Sequence, residues 1–345
     1  MPKITLVFSD AETVSIEARA GEMVLQAAKR NGIALSSDCE VGDCQTCRAN
    51  LLCGKIEYDE YATVSLTQDE MQAGEMLSCV SAAETDVTVE LPYERAALIA
   101  PKRFVLKVQE TARLGSSVIQ LKAQSLGVKP MEFLPGQYIN LNVPGTDQWR
   151  SYSMATPPSA GRNLELLVRL LDAGEMSDWL RNRTAVGDMI ECNGPFGTFY
   201  LREHDAPLLM IAGGTGVAPM ISMLRVLEAG KSQRRIVLCF GVNRPDELFY
   251  VDELLAFRKT LPNYELRIAL VEAGPDSPYK NGYCTDQIAP EDVRGSDIYL
   301  CGPPAMTDAA APILASNGAD PRRIFMERFV SSSETPEKAP ALAVY

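Results

Sequence analysis

Apolar and polar residues alternate along Ile4–Phe8 and again along Thr13–Ala18, the period-2 signature of two half-buried strands forming a hairpin. The pattern then changes to a helical period over Met23–Arg30, which Asn31–Gly32 stops. A cysteine-bearing loop and a polar stretch follow, then Met76–Cys79 and a strand pattern at Val87–Leu91. The segment LPYERAALIAPKR interrupts the periodicity and reads as a linker. From Phe104 to about Leu201, short strand-like runs alternate with turns, which predicts a small antiparallel barrel. From Pro207 on, apolar strands (LLMIAG, RIVLCFG, LRIALVE, DIYLCG, RIFMERF) alternate with helical stretches, the rhythm of a parallel α/β sheet. The expected organisation is therefore residues 1–97, 98–205 and 206–330 as three domains. A Ser-, Pro- and charge-rich tail, 331–345, is expected to be disordered. No internal repeat is visible.

A chain of 345 residues has room for two or three cores. Its charge is unevenly placed: residues 1–97 carry 17 acidic and 7 basic side chains, and the rest 28 and 26. Such segregation has a bland reading, a solvated acidic surface, and a sharper one, electrostatic docking on a basic patch of a partner. It argues against nucleic-acid binding, which wants the opposite sign. The nine cysteines, with no secretory signal ahead of a first strand, point to a reducing compartment, and a cytoplasmic location is expected. The uncharged run from Ala206 to Leu224 is long enough to span a membrane, but its glycines and prolines make strand–loop–helix the better reading, so no membrane partner is expected. A single histidine, His204, rules out a Rieske centre and a facial-triad iron site. It is expected in a surface linker.

Cys39, Cys44, Cys47 and Cys79 follow the spacing C-x4-C-x2-C with a distant fourth thiol, that of plant-type [2Fe–2S] ferredoxins. One tight loop supplies three thiolates and a second segment closes the site. Gly42 lets the backbone wrap closely. A structural zinc site would more often show paired C-x2-C units, of which there is one here.

Two further constellations lie downstream. A flavin needs a cation for its pyrophosphate, an aromatic face for its ring and a hydrogen-bond donor near its reactive nitrogen. Arg150, Tyr152 and Ser153 in RSYS supply the three. Gly174-Glu175-Met176-Ser177 opens a short helix and offers a second pyrophosphate contact. Gly213-Gly214-Thr215-Gly216 follows an apolar strand and opens another helix, with glycines to let backbone approach a dinucleotide. Pro219 stands where a Rossmann fingerprint has its third glycine. Cys301-Gly302-Pro303-Pro304 is a second strand-to-helix turn, whose thiol is either part of a nicotinamide pocket or a buried structural cysteine.

Taken in order, RSYS, GPFG, GGTGVAPM, CGPPAM and MERF resemble the ferredoxin–NADP reductase superfamily with a plant-type ferredoxin domain fused at the N-terminus, over residues 1 to about 330. VELPY, VPGTDQWRSYS, FGVNRPDELFYVDEL and DIYLCGPPAM resemble more narrowly the reductase components of soluble di-iron monooxygenases. Benzoate-type dioxygenase reductases share most of these motifs. The resemblance implies a multidomain α+β and α/β fold: a β-grasp [2Fe–2S] ferredoxin domain, an antiparallel β-barrel FAD domain and a parallel-sheet α/β NAD-binding domain. It implies FAD held by Arg150, Ser151, Tyr152, Ser153, Val168 and Arg169, with Gly174, Met176 and Ser177 at its pyrophosphate. NADH would be held by Gly213, Gly214, Thr215, Gly216, Cys301, Gly302 and Pro303, and Phe329 would reach the flavin edge. Ser153, Thr215, Cys301 and Glu327 are the expected catalytic residues. Val271-Glu272-Ala273 stands where NADPH-using relatives place a Ser–Arg pair, so NADH is expected, although Arg244 could partly compensate. The implied function is electron transfer from NADH through FAD and the cluster to an oxygenase docked on the acidic ferredoxin domain, by a monomer. The reductase component of a benzoate-type Rieske ring-hydroxylating dioxygenase, a standalone NADH:acceptor reductase and a carrier that has lost NADH use are the alternatives.

Overall fold

The computed structural model describes residues 1–42, 44–59 and 65–329. The tail at 331–345 lies outside them. The chain forms two compact units, Met1–Lys102 with Gly194–Thr198, and Arg103–Asn193 with the residues from Phe199 on.

In the first unit β1 (Lys3–Phe8) and β2 (Thr13–Glu17) form the expected hairpin. Ile4, Leu6 and Phe8 point inward on alternate positions, and α1 (Val24–Arg30) buries Val24, Leu25, Ala27 and Ala28. The remaining strands are β3 (Arg48–Cys53), β4 (Ile56–Tyr58), β5 (Glu75–Leu77), β6 (Ser81–Ala83) and β7 (Val87–Leu91), with α2 (Gln68–Gln72) between β4 and β5. A five-stranded sheet runs β2-β1-β7-β3-β5, with β1 and β7 parallel, and one helix packs on it: a β-grasp. The polar stretch conceals β3 because only Ala49 of that strand is buried. Arg48 ties it to its neighbours, pairing with Glu70 of α2 at 2.7 Å and with Glu75 of β5, whose Met76 and Leu77 are buried.

The second unit begins with an antiparallel sheet of β8 (Lys102–Leu114), β9 (Val118–Ser125), β10 (Tyr138–Asn142), β11 (Trp149–Ser153), β12 (Asn163–Arg169) and β13 (Met189–Phe196), in the order β11-β10-β13-β8-β9-β12. A bridge between Met154 and Leu166 joins the two edges and closes the barrel. α3 (Glu175–Asn182) buries Met176, Trp179 and Leu180 against the barrel core.

A six-stranded sheet follows, β17-β16-β15-β14-β18-β19, with every adjacent pair parallel. Its strands are β14 (Leu208–Gly213), β15 (Ile236–Val242), β16 (Tyr264–Leu270), β17 (Lys280–Asn281), β18 (Asp297–Gly302) and β19 (Ile324–Arg328). The helices are α4 (Val217–Ala229), α5 (Val251–Ala256), α6 (Pro290–Val293) and α7 (Pro304–Ser316). Leu208, Met210 and Ala212 face one core while Leu209 and Ile211 face another. Burial on both faces is why these strands read as unbroken apolar runs. β14 has β15 on one side and β18 on the other, so the strand order reverses there. An open α/β sheet binds ligands beyond the carboxyl ends of the strands at such a point.

His204 is an exposed residue of the connection before β14, as expected of a surface linker. Its ring Nδ1 lies 3.0 Å from Oδ2 of Asp297, a fully buried carboxylate that Arg234 and Arg323 also engage. Three cationic or protonatable groups are the compensation such a buried charge requires.

Candidate functional site

The cysteine loop takes left-handed backbone at Glu40, Gly42 and Gln45. This turns amides toward sulfur: Cys39 N–H donates to Cys44 Sγ at 3.4 Å, and Cys44 N–H to Cys39 Sγ at 3.3 Å. Cys47 Sγ and Cys79 Sγ are 3.2 Å apart. The hydrogen bond from Cys79 lowers the Cys47 thiol, whereas the bonds to Cys39 and to Cys47 push Cys44 and Cys79 up respectively. Cys39 acts electrostatically on both Cys47 and Cys79. Among the described residues no three His, Cys, Asp or Glu side chains close on one point as they would around a single ion. Two thiol pairs that cannot all ionise unaided are the donor set for two irons, each taking two thiolates. The residues fit the cluster.

On β11 the pleat sends Arg150 and Tyr152 to one face and Ser151 and Ser153 to the other. Arg150 donates to the Trp149 carbonyl at 2.8 Å, and Ser151 Oγ to Asn140 at 2.7 Å. Burial pushes the Tyr152 hydroxyl up. Val168 lies in the barrel core and offers a ligand only backbone, whereas Arg169 is exposed. Ser177 Oγ accepts from Leu171 N–H at 2.9 Å, and Met176 packs inward. Toward a pyrophosphate both would present first-turn N–H groups of α3 rather than side chains. An aromatic face, two arginines and a helix N-terminus fit FAD.

At the sheet's switch point the glycines divide into two kinds. A Cβ on Gly216 would stand 2.2 Å from the Cys301 carbonyl oxygen, and one on Gly213 would stand 2.7 Å from Met306 Sδ. Gly302, at φ +157°, would meet Met306 Cε at 2.7 Å and Gly213 N at 3.2 Å. These three let the ends of β14 and β18 touch. Gly214, at φ +54° with nothing within 4 Å, is the one facing open space. Gly214 therefore leaves room for a dinucleotide to approach the backbone ahead of the N-terminus of α4. Pro303 packs beside Gly213, where a Cβ would meet its Cδ at 3.1 Å. Met306 was not recognised from sequence; its only signal was its place three residues after Pro303.

Residues from three segments meet beside this loop. β18 and β19 pair in a register that sets Cys301 opposite Glu327. Ser153 Oγ donates to Glu327 Oε2 at 2.9 Å, and Cys301 Sγ lies 3.9 Å from the same oxygen. Burial pushes the Glu327 carboxyl up to about 7, against the lowering effect of the two hydrogen bonds. Burial, then the Glu327 charge, raises the Cys301 thiol, so it stays protonated. Thr215 is buried in the turn Gly214–Gly216. Phe329 N–H donates to the Gly302 carbonyl at 2.9 Å.

No helix among the described residues is long and apolar enough to cross a membrane. Residues 7–84 match the 2Fe-2S iron-sulfur cluster binding domain, 105–200 the oxidoreductase FAD-binding domain, and 210–311 the oxidoreductase NAD-binding domain. The toluate 1,2-dioxygenase electron transfer component of Pseudomonas putida is 36% identical over 336 residues, spanning 96% of this chain and 99% of that protein. The propane 2-monooxygenase reductase component of Rhodococcus jostii is 34% identical over 334 residues, 93% of this chain and 90% of that one. The crystal structure of the Amycolatopsis cytochrome P450 reductase GcoB superposes with a TM-score of 0.71 at 27% identity, covering 94% and 98% of the two chains. With three cofactor domains in this order along nearly its whole length, the chain belongs to the family of [2Fe–2S], FAD- and NAD-binding reductase components that pass electrons to oxygenases.

Proposed function

We propose that this reductase draws on NADH and delivers electrons to the hydroxylase of a soluble di-iron monooxygenase. When bound, the cofactors supply the redox chemistry, a hydride to the flavin and single electrons to the cluster. The observation that carries the reading is the meeting of Ser153, Cys301 and Glu327 beside the Gly214–Gly216 turn. Arg150 and Arg169 balance pyrophosphate charge, and Tyr152 supplies the aromatic face. Glu327 holds or releases a proton at Oε2, in contact with the Ser153 hydroxyl. Cys301, Thr215 and the apposed glycines close the floor against water, and Phe329 is tethered at its edge.

NADH is favoured over NADPH. Glu272, just beyond β16, repels a 2′-phosphate, and Arg244 does not offset it, being paired with Asp246 and with Glu247, each at 3.2 Å. The three domains are assigned to 1–97, 98–205 and 206–330. The acidic ferredoxin domain serves as the docking face of a cytoplasmic monomer.

A Rieske dioxygenase as recipient is the second reading, favoured by the likeness to the toluate component. The test is anaerobic reduction of the full-length holoprotein by NADH, followed by mixing with a purified di-iron hydroxylase or Rieske oxygenase. Flavin bleaching and a reduced-cluster EPR signal are expected, then NADH-driven reduction of the di-iron protein, slowing as salt rises. Reduction of the Rieske protein alone would move the assignment to the second reading. No bleaching by NADH would sink both.

A further inference from the structure

The motif FGVNRPDELFYVDEL contains one residue in an unusual conformation. Tyr250 caps α5 at φ 60°, in the left-handed region that a bulky side chain seldom occupies. The residue is buried, and its ring packs edge-on to Phe249, which packs edge-on to Phe240. Its hydroxyl accepts a hydrogen bond from Gln120 Nε2 on barrel strand β9. Such backbone persists where its surroundings over-determine it.

Gln120 Nε2 also donates to Glu165 Oε1 on β12, at 2.6 Å. The second oxygen, Glu165 Oε2, accepts from Arg225 Nη1 on α4 at 2.6 Å, and the same nitrogen donates to the Ala155 carbonyl at 3.1 Å. One turn earlier on α4, the Ser222 hydroxyl donates to the Thr156 carbonyl at 2.6 Å. The Glu165 backbone completes the grip, its carbonyl accepting from Ala155 N–H at 2.9 Å and its N–H donating to Thr156 Oγ1 at 2.5 Å.

The geography of these bonds matters. Ala155 and Thr156 follow directly on Ser153 and Met154, the end of the RSYS strand. α4 begins directly after the Gly214–Gly216 turn. A single carboxylate on the barrel thus reaches the helix behind the nucleotide loop through one oxygen and the cap of the next helix through the other. The backbone bonds continue the barrel-closing bridge of Met154 and Leu166, and the side-chain bonds of Arg225 and Ser222 extend that grip to α4.

We infer that Glu165 is a positioning residue for hydride transfer: through Arg225 and through Gln120–Tyr250 it fixes where the nucleotide loop stands relative to Ser153. The inference rests on the proposed meeting of nicotinamide and flavin at Ser153. It touches neither, so its effect is one of distance. A small misplacement lowers the rate of a reaction that needs near-contact of the reacting atoms, while leaving ground-state binding largely intact.

The test uses the full-length holoprotein carrying Glu165→Gln, Arg225→Lys or Tyr250→Phe, with Glu110→Gln as control; Glu110 forms an exposed pair with Lys122. Stopped-flow flavin reduction is followed with NADH and with NADH deuterated at the transferred position, across temperature. FAD content, cluster absorbance and the long-wavelength flavin–nicotinamide charge-transfer band are recorded for each. For Glu165→Gln the expectation is a fall of about tenfold or more in the reduction rate, a KM for NADH within about twofold, a weaker charge-transfer band and a more temperature-dependent isotope effect. Tyr250→Phe should show the same signs more weakly, and Arg225→Lys should recover part of the band. An unchanged band and isotope effect in all three variants would overturn the inference, whether or not the rate falls, since lost stability or FAD would then be the cause. Should Glu165→Gln not retain FAD, the two milder variants decide by the same readouts. Failure of the wild-type protein to bleach with NADH is a separate result, against the proposed function and not the brace.

Discussion

Ser153 and Glu327 are 174 residues apart in the chain, yet the serine hydroxyl donates to the glutamate carboxylate at 2.9 Å. The contact joins barrel strand β11 to sheet strand β19 at a part-buried carboxyl that the Cys301 thiol also approaches.

Burial raises Glu327 from an ordinary 4.5 to about 7, so the folded protein binds this proton more tightly than the unfolded chain. Its contribution to stability is therefore greatest below about 4.5 and is lost as pH rises toward 7, by about 3 kcal/mol. Glu327→Gln removes that slope. Thermal unfolding of holoprotein between pH 5 and about 8 should show wild-type Tm falling relative to the variant. An infrared titration should show a protonated-carboxyl band that disappears near pH 7 in wild type only. Parallel Tm curves for the two proteins would refute the assignment.

Gly216 and Gly214 should respond oppositely to alanine. At Gly216 the new methyl would lie 2.2 Å from the Cys301 carbonyl, so β14 and β18 must part and FAD-loaded protein should be lost or unfold at a lower temperature. At Gly214 there is open space, and the left-handed backbone costs only about 1–2 kcal/mol. Gly214→Ala should therefore fold with normal FAD and cluster content but bind NADH more weakly. Calorimetric titration with NAD+ checks this, and unaltered affinity would remove Gly214 from the nucleotide site.

Glu272 gives a charge test of coenzyme choice. Replacing it by serine removes one repulsive charge from a 2′-phosphate beyond β16, which should raise kcat/KM for NADPH relative to NADH by about tenfold. The bound Arg244 should not change that outcome, because Asp246 and Glu247 retain it. An unaltered ratio would mean that the adenosine end lies elsewhere.

Much of this architecture was legible because its strongest signals are local. The thiol spacing, the turns GGTG and CGPP, and the apolar runs of β14, β15 and β18 each follow from one stretch of sequence. What escaped lacks such a local signal. β3 has too little buried apolar surface to show a period, and β5, with Met76 and Leu77 buried, is only three residues long. The close packing at Gly213, Gly216 and Gly302 was not legible either, because it depends on Met306 of α7 and on the approach of the β18 end to the Gly214–Gly216 turn.

Tyr93, the last residue of VELPY, ties the exit of the ferredoxin domain to its cluster loop. Its carbonyl accepts from Ser9 N–H at 3.1 Å, its ring packs edge-on to Phe8, and its hydroxyl accepts from Ser36 N–H at 3.1 Å. Ser36 lies three residues before Cys39, so this bond holds the loop where its first thiol emerges. The ring is 2% exposed. Tyr93→Phe keeps the packing and orphans the amide, at a cost of about 1–3 kcal/mol. If that penalty falls on the loop, the cluster's visible absorbance should decay at least about fivefold faster in the presence of an iron chelator. Flavin reduction by NADH, which does not pass through this loop, should keep its wild-type rate. Equal decay rates would mean that Ser36 finds another acceptor and that Tyr93 serves the core alone.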